Sequence, residues 1–132
     1  MDLKKEIKAW REVREKGRFE DAFRGLYVFW ETTKNLYIYI PVSLFVILFG
    51  FYFRISSFEW IALVFCMGFV LVTEALNTAI EIDIDLTSPE YHPFAKDTKD
   101  VAAAAVLLSS ITAMVVGLIV FLPKIFNRLF LI

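Results

Sequence analysis

Two hydrophobic patterns divide the chain. Over residues 1–16, Leu3, Ile7, Trp10 and Val13 recur at spacings of four, three and three among charges of both signs. This spacing predicts an amphipathic helix lying on a membrane surface or against a partner, with a plain solvated helix as the alternative. Gly17 breaks it. A second stripe follows, with Phe19, Ala22, Phe23, Leu26 and Trp30 on one side and Glu20, Asp21, Arg24 and Glu31 on the other. Aromatic residues opposite charges suit the headgroup level of a bilayer, so residues 18–34 read as a surface helix.

Beyond Lys34 the periodicity gives way to three long apolar runs. Asn35–Phe53 is uncharged for 19 residues, about 28 Å as a helix and close to a hydrocarbon core of roughly 30 Å. Pro41 falls inside it, which predicts a bend there, with Tyr37 and Tyr39 at the interface. Arg54–Ser57 reads as a tight turn, and a second span covers about 58–80. Ser88-Pro89 stops that helix, and a short loop leads to a third helix from about Phe94. Its span, about 101–122, carries no charge and should end at Pro123-Lys124. The expected fold is all-α: an integral membrane protein with an extension over 1–17 and a three-span domain over 18–132.

Composition agrees. Hydrophobic residues make up 58% of the 132, where roughly 45–50% is usual for a soluble domain. A net charge of −1 gives no case for nucleic acid. Cys66 is alone, so no internal disulfide forms. The charged N-terminus lacks the short apolar core of a removed signal peptide. Lys and Arg number nine before the first span and two between the second and third, against Arg54, Lys124 and Arg128 on the other side. The positive-inside rule therefore puts the N-terminus and the second loop in the cytoplasm.

The chemistry gathers where the second span leaves the membrane. Glu74, Asn77, Glu81 and Asp85 stand three, four and four apart, on one helix face within roughly 80°. Asp83 points away. Glu74 lies sixteen residues beyond Phe58, about 24 Å along the helix, just inside the headgroup boundary. An ionised side chain facing lipid costs about 2.5–3.5 kcal/mol even on the lenient insertion scale, so the stripe must face protein, water or a cation. Three readings are open. A polar helix end suits Asp83, Lys96 and Asp97 but suits Glu74 poorly. Proton or cation transport lacks a second charge to continue the path across the bilayer. Catalysis on a lipid alcohol fits best: Glu81 can hold a divalent metal through oxygen, and Glu74, partly desolvated, sits at the depth of a headgroup hydroxyl as a general base would. No glycine-rich phosphate loop is present; phosphoryl transfer needs mainly positioning and charge neutralisation.

Residues 73–100 resemble the signature of the prokaryotic diacylglycerol kinase and undecaprenol kinase family. The motif Glu-x-x-Asn-[Ser/Thr]-Ala-Ile-Glu stands here as EALNTAIE, Glu74–Glu81. Asp85, the Glu90-Tyr91-His92 loop and Thr98-Lys99-Asp100 follow without gaps, then the small-residue run Ala102–Val106. The resemblance covers roughly residues 18–122, and the SPEYHP wording is closer to the Gram-positive undecaprenol kinase branch. It implies a homotrimer in the bacterial inner membrane, using Mg-ATP at cytoplasmic sites shared between subunits. Glu74 corresponds to the catalytic base and Glu81 to a metal-binding carboxylate. Asn77, Asp85, Glu90, Tyr91, His92, Lys99 and Asp100 correspond to nucleotide or catalytic-site positions. The implied reaction is phosphorylation of a lipid alcohol, undecaprenol first and diacylglycerol second.

One position departs from the family. A second metal-binding Glu is expected eight residues after Gly25, where this chain has Thr33. Glu31 is the nearest acid, but two residues earlier means about 200° around a helix. Basic residues expected just beyond are replaced by Tyr37 and Tyr39. The departure leaves three possibilities: one metal ligand fewer, recruitment of Glu31, or a catalytically weakened relative acting as a membrane interaction protein.

Overall fold

The structure, a computed structural model, describes Lys5 and residues 17–130. The amphipathic helix expected over 1–16 otherwise lies outside them. All the described secondary structure is helical: α1 Arg18–Thr32, α2 Leu36–Tyr52, α3 Ser57–Thr87 and α4 Pro93–Phe130. The chain divides into two units, residues 1–32 and 33–132.

In the first unit, α1 carries Glu20 and Asp21 in its opening turn, where the helix dipole favours acids. The Asp21 amide bonds the Gly17 carbonyl at 2.7 Å, and Thr32 Oγ1 donates back to the Val28 carbonyl at 2.7 Å. Phe19, Phe23, Leu26 and Trp30 are all exposed, forming the apolar stripe of a surface helix.

In the second unit, α3 packs along α4, and α2 lies against α3. Both α3, with 31 residues, and α4, with 38, are long and apolar enough to cross a membrane. The 17 residues of α2 reach about 26 Å. Their outward faces bear large apolar side chains such as Phe45, Leu48, Phe65, Leu107, Leu108 and Ile119, all more than half exposed. A soluble fold would bury such a surface, whereas a membrane protein can leave it to lipid. The protein is an all-α integral membrane protein. Pro41 occupies the second turn of α2, which runs through it unbroken; so early in a helix the missing N–H costs one bond.

One compact apolar cluster sits at the end remote from Glu74. Ile55, Leu63 and Val120 are buried there among Val46, Phe53, Trp60, Val116 and Phe121. Arg54 turns the chain with φ 48. Ser56 then caps α3 in a capping box: its Oγ accepts from the Glu59 amide while its own amide donates to Glu59 Oε2 at 2.7 Å. Glu59 also holds Lys124 Nζ at 2.9 Å, and the Arg128 guanidinium lies 4.9 Å over the Tyr52 ring. These contacts correct one expectation. Pro123 does not end the last helix, which continues to Phe130. The turns beyond the proline are secured by Lys124 and Arg128, so the lost N–H is tolerated.

Gly50 packs its backbone against Trp60, and a Cβ there would meet the indole at 2.6 Å. Gly50→Ala should therefore destabilise the bundle by about 1–3 kcal/mol through overpacking, read as a lowered thermal midpoint in detergent. Nearer the site, the small residues of α4 allow close approach. Ala102, Val106 and Ser109 are buried in succession. Thr73 Oγ1 and Ser109 Oγ share a hydrogen bond of 2.8 Å that joins α3 to α4 just below Glu74.

Candidate active site

The 31 residues of α3 measure about 46 Å, so a helix crossing the hydrocarbon also carries its last turns out of it. Helical period then stacks the polar residues in steps. Glu74 is the innermost and is 2% exposed. Its Oε1 accepts from Asn35 Nδ2 at 2.7 Å and its Oε2 from the Tyr39 hydroxyl at 3.2 Å. One turn on, Asn77 and Thr78 are buried. Asn77 Nδ2 donates to Glu81 Oε1 at 3.0 Å, which leaves the buried Asn77 Oδ1 without a partner. The Thr33 and Thr78 hydroxyls share a buried hydrogen bond of 3.0 Å. Two turns further, Asp85 Oδ1 pairs with Lys99 Nζ of α4 at 2.7 Å. The Asp85 carboxylate, through that bond, holds the Lys99 ammonium above the usual lysine range.

A largely apolar groove of about 490 Å³ runs between α3 and α4; Asn77 is the one residue of the stripe that lines it, with Thr73, Ile80, Asp97, Thr98 and Val101 among the others. Among the described residues no three His, Cys, Asp or Glu side chains cluster as a metal site. Glu81 and the orphaned Asn77 oxygen do offer an all-oxygen pair. That donor set fits Mg²⁺, which takes one or two protein ligands and completes its shell with water and phosphate.

The family model described as prokaryotic diacylglycerol kinase matches residues 20–121, which takes in every one of these side chains. The chain belongs to that family. It is a lipid kinase. Among its relatives, the undecaprenol kinase of Bacillus subtilis is 36% identical over 106 residues, 80% of this chain and 86% of that one. The diacylglycerol kinase of Synechocystis is 34% identical over 110 residues, 83% of this chain and 63% of that one. A Helicobacter pylori diacylglycerol kinase is 36% identical over 72 residues, 54% and 56% of the two chains.

The kinase brings together Glu74, Asn77 and Glu81 on one face, and joins Asp85 to Lys99 across the loop. The other expected site residues stand apart. Glu90, Tyr91 and His92 are exposed in the loop between α3 and α4. There His92 Nδ1 accepts from the Phe94 amide at 3.3 Å, which helps start α4. Asp100 is exposed on the opening turns of α4. Glu31 is exposed on α1, in the first unit, while the bonds of the site described here lie within residues 33–132.

Sequence reasoning missed Asn35 and Tyr39 as partners of Glu74, taking Tyr39 only for an interfacial aromatic. A signal was available: two polar residues four apart open an otherwise apolar helix, on one face. Asp97, read as a surface charge, lines the groove beside Asn77.

Proposed function

We propose that this kinase transfers the γ-phosphoryl group of ATP to the hydroxyl of undecaprenol, from the cytoplasmic face of a bacterial inner membrane and as a homotrimer. The observation that carries the reading is Glu74: a buried carboxylate at headgroup depth with both oxygens held by neutral donors. In the proposed step Glu74 takes the hydroxyl proton while the acceptor oxygen bonds the γ-phosphorus. The bond from that phosphorus to the bridging oxygen breaks, and ADP leaves with the electron pair. Glu81 with Asn77 Oδ1 would hold Mg²⁺, which when bound neutralises phosphate charge. Lys99, kept charged and oriented by Asp85, would meet the same phosphates. Glu90, Tyr91, His92 and Asp100, exposed in the loop and on the opening turns of α4, would contact the nucleotide as the resemblance implies. The Bacillus relative, matched over most of its length, favours undecaprenol over diacylglycerol; the Lys and Arg asymmetry supports the orientation, and the family resemblance supports the trimer.

ADP release in mixed micelles tests this directly. Turnover is expected with undecaprenol, Mg²⁺ and ATP, at a kcat/KM at least tenfold above that for diacylglycerol. The reverse preference would move the acceptor to diacylglycerol. No turnover with either would favour the membrane interaction protein that the Thr33 departure suggests.

The Asp85–Lys99 pair has its own test. Lys99 is raised, so its charged form contributes fully below the ordinary lysine pKa and is lost only as pH rises beyond the folded value. The pair should therefore be intact from about pH 6 to 9. Asp85→Asn frees Lys99 and should raise KM for ATP several-fold throughout that range, with little change in the thermal midpoint. A KM that does not move would remove Lys99 from the nucleotide site.

A further inference from the structure

Glu74 is the most buried ionisable side chain among the described residues, at 2% exposure. Burying a carboxylate is costly unless its oxygens are hydrogen-bonded, and among the described residues no cation pairs with this one. Its two donors come from one short stretch. Asn35 stands at the N-cap of α2 and Tyr39 one turn on, so the four-residue spacing presents both to α3 from the same face. Each takes a different oxygen, Oε1 and Oε2. The carboxylate plane is thereby fixed, because rotating it breaks one bond or the other. An ionised carboxylate offers about four acceptor sites, so two stay free for a substrate hydroxyl.

The stretch is itself anchored. Thr33 is bonded to Thr78 at 3.0 Å inside the bundle, and Leu36 is buried one residue beyond Asn35. The Tyr39 side also borders an apolar cavity of about 320 Å³, lined by Ile38, Val42, Cys66, Met67 and Met114 among others. Tyr39 thus stands between the carboxylate and apolar space at membrane depth, where a greasy alcohol has to bring its hydroxyl.

We propose that Asn35 and Tyr39 are positioning residues: a two-donor clamp, anchored by the Thr33–Thr78 bond, that aims Glu74 at the acceptor hydroxyl. The inference rests on Glu74 being the base. Tyr39→Phe keeps the ring and its packing and removes only the donor; Asn35→Ala removes the other. Each variant should lower kcat about tenfold, with KM for ATP and for lipid within about twofold. The double variant should lose little more than the worse single one, because either loss frees the same carboxylate. In a Glu74→Gln background, adding Tyr39→Phe should change the residual rate less than twofold. A kcat unchanged in Tyr39→Phe, a loss confined to KM, or an equal drop in the Glu74→Gln background would each overturn the clamp.

A second measurement needs no turnover. In protein labelled with ¹³C-glutamate, the carboxylate stretch absent from Glu74→Gln should shift in both Tyr39→Phe and Asn35→Ala. A band that stays in place overturns the proposal even if the enzyme is active. If the parent phosphorylates neither acceptor, the assignment of Glu74 as base has failed, and this band alone then decides whether the clamp exists.

Discussion

Glu74→Gln should lower kcat by about a thousandfold and leave the protein folded. General-base groups contribute typically 10²–10⁴-fold, and Glu74 is the only acid on the stripe so deeply buried at the hydrocarbon boundary. Glutamine keeps the volume, so packing against the segment that carries Asn35 and Tyr39 survives. Its amide oxygen can still accept from Asn35 Nδ2, which now reaches Oε1 at 2.7 Å. What is lost is the capacity to take a proton. KM for ATP should stay within about twofold, because the Asp85–Lys99 pair lies about three turns further along α3. Thermal stability should be equal or higher, since a neutral side chain no longer has to be desolvated as an ion. The measurements are ADP release with saturating undecaprenol and a melting curve on the same preparation. A fall in both rate and melting midpoint would make Glu74 a structural residue instead, and full activity would move the base elsewhere.

How much of this was legible in the sequence depends on how far apart the partners stand. The three runs beyond Lys34 announce their helices by composition, because 17 to 38 residues with so little charge have no aqueous alternative. The stripe of Glu74, Asn77 and Glu81 is equally plain, since one helix fixes its geometry through its own period. Interactions between helices are a different matter. Nothing in the neighbourhood of Tyr39 says that its hydroxyl meets a carboxylate 35 residues on, so it reads as an interfacial aromatic. Pro123 likewise reads as a stop because local rules know nothing of Glu59, which lies 65 residues earlier and holds Lys124. Thr33 is the most instructive case. The family pattern marks it as a missing carboxylate, whereas the fold finds it a partner of its own kind in Thr78. The departure from the family is thus built into the bundle and leaves no vacancy there.

That buried pair leads to the other large effect, expected for Thr33→Glu. Thr33 is 6% exposed and Thr78 is 9% exposed, so a carboxylate at position 33 enters a buried site where its partner is the Thr78 hydroxyl. A buried charge left unpaired costs about 3–5 kcal/mol, and Glu74 and Glu81, on the same face of α3 as Thr78, add repulsion. In EDTA the variant should therefore melt well below the parent, by roughly 10 °C or more for a chain this size. Magnesium should reverse the loss. Glu81 lies three residues beyond Thr78 and so on the same helix face, which would let a cation there take oxygens from both carboxylates. The expected signature is a melting midpoint that climbs steeply with Mg²⁺ in Thr33→Glu and shallowly in the parent, by the linkage of binding to folding. Addition of Glu81→Gln should abolish the recovery while leaving the EDTA midpoint equal or higher, because one repelling charge is gone. A variant that stays unstable at millimolar Mg²⁺ would place the metal elsewhere than between Glu81 and position 33. If Thr33→Glu instead matches the parent in EDTA, the Thr33–Thr78 bond does not anchor the segment, and the support it lends to Asn35 and Tyr39 goes with it.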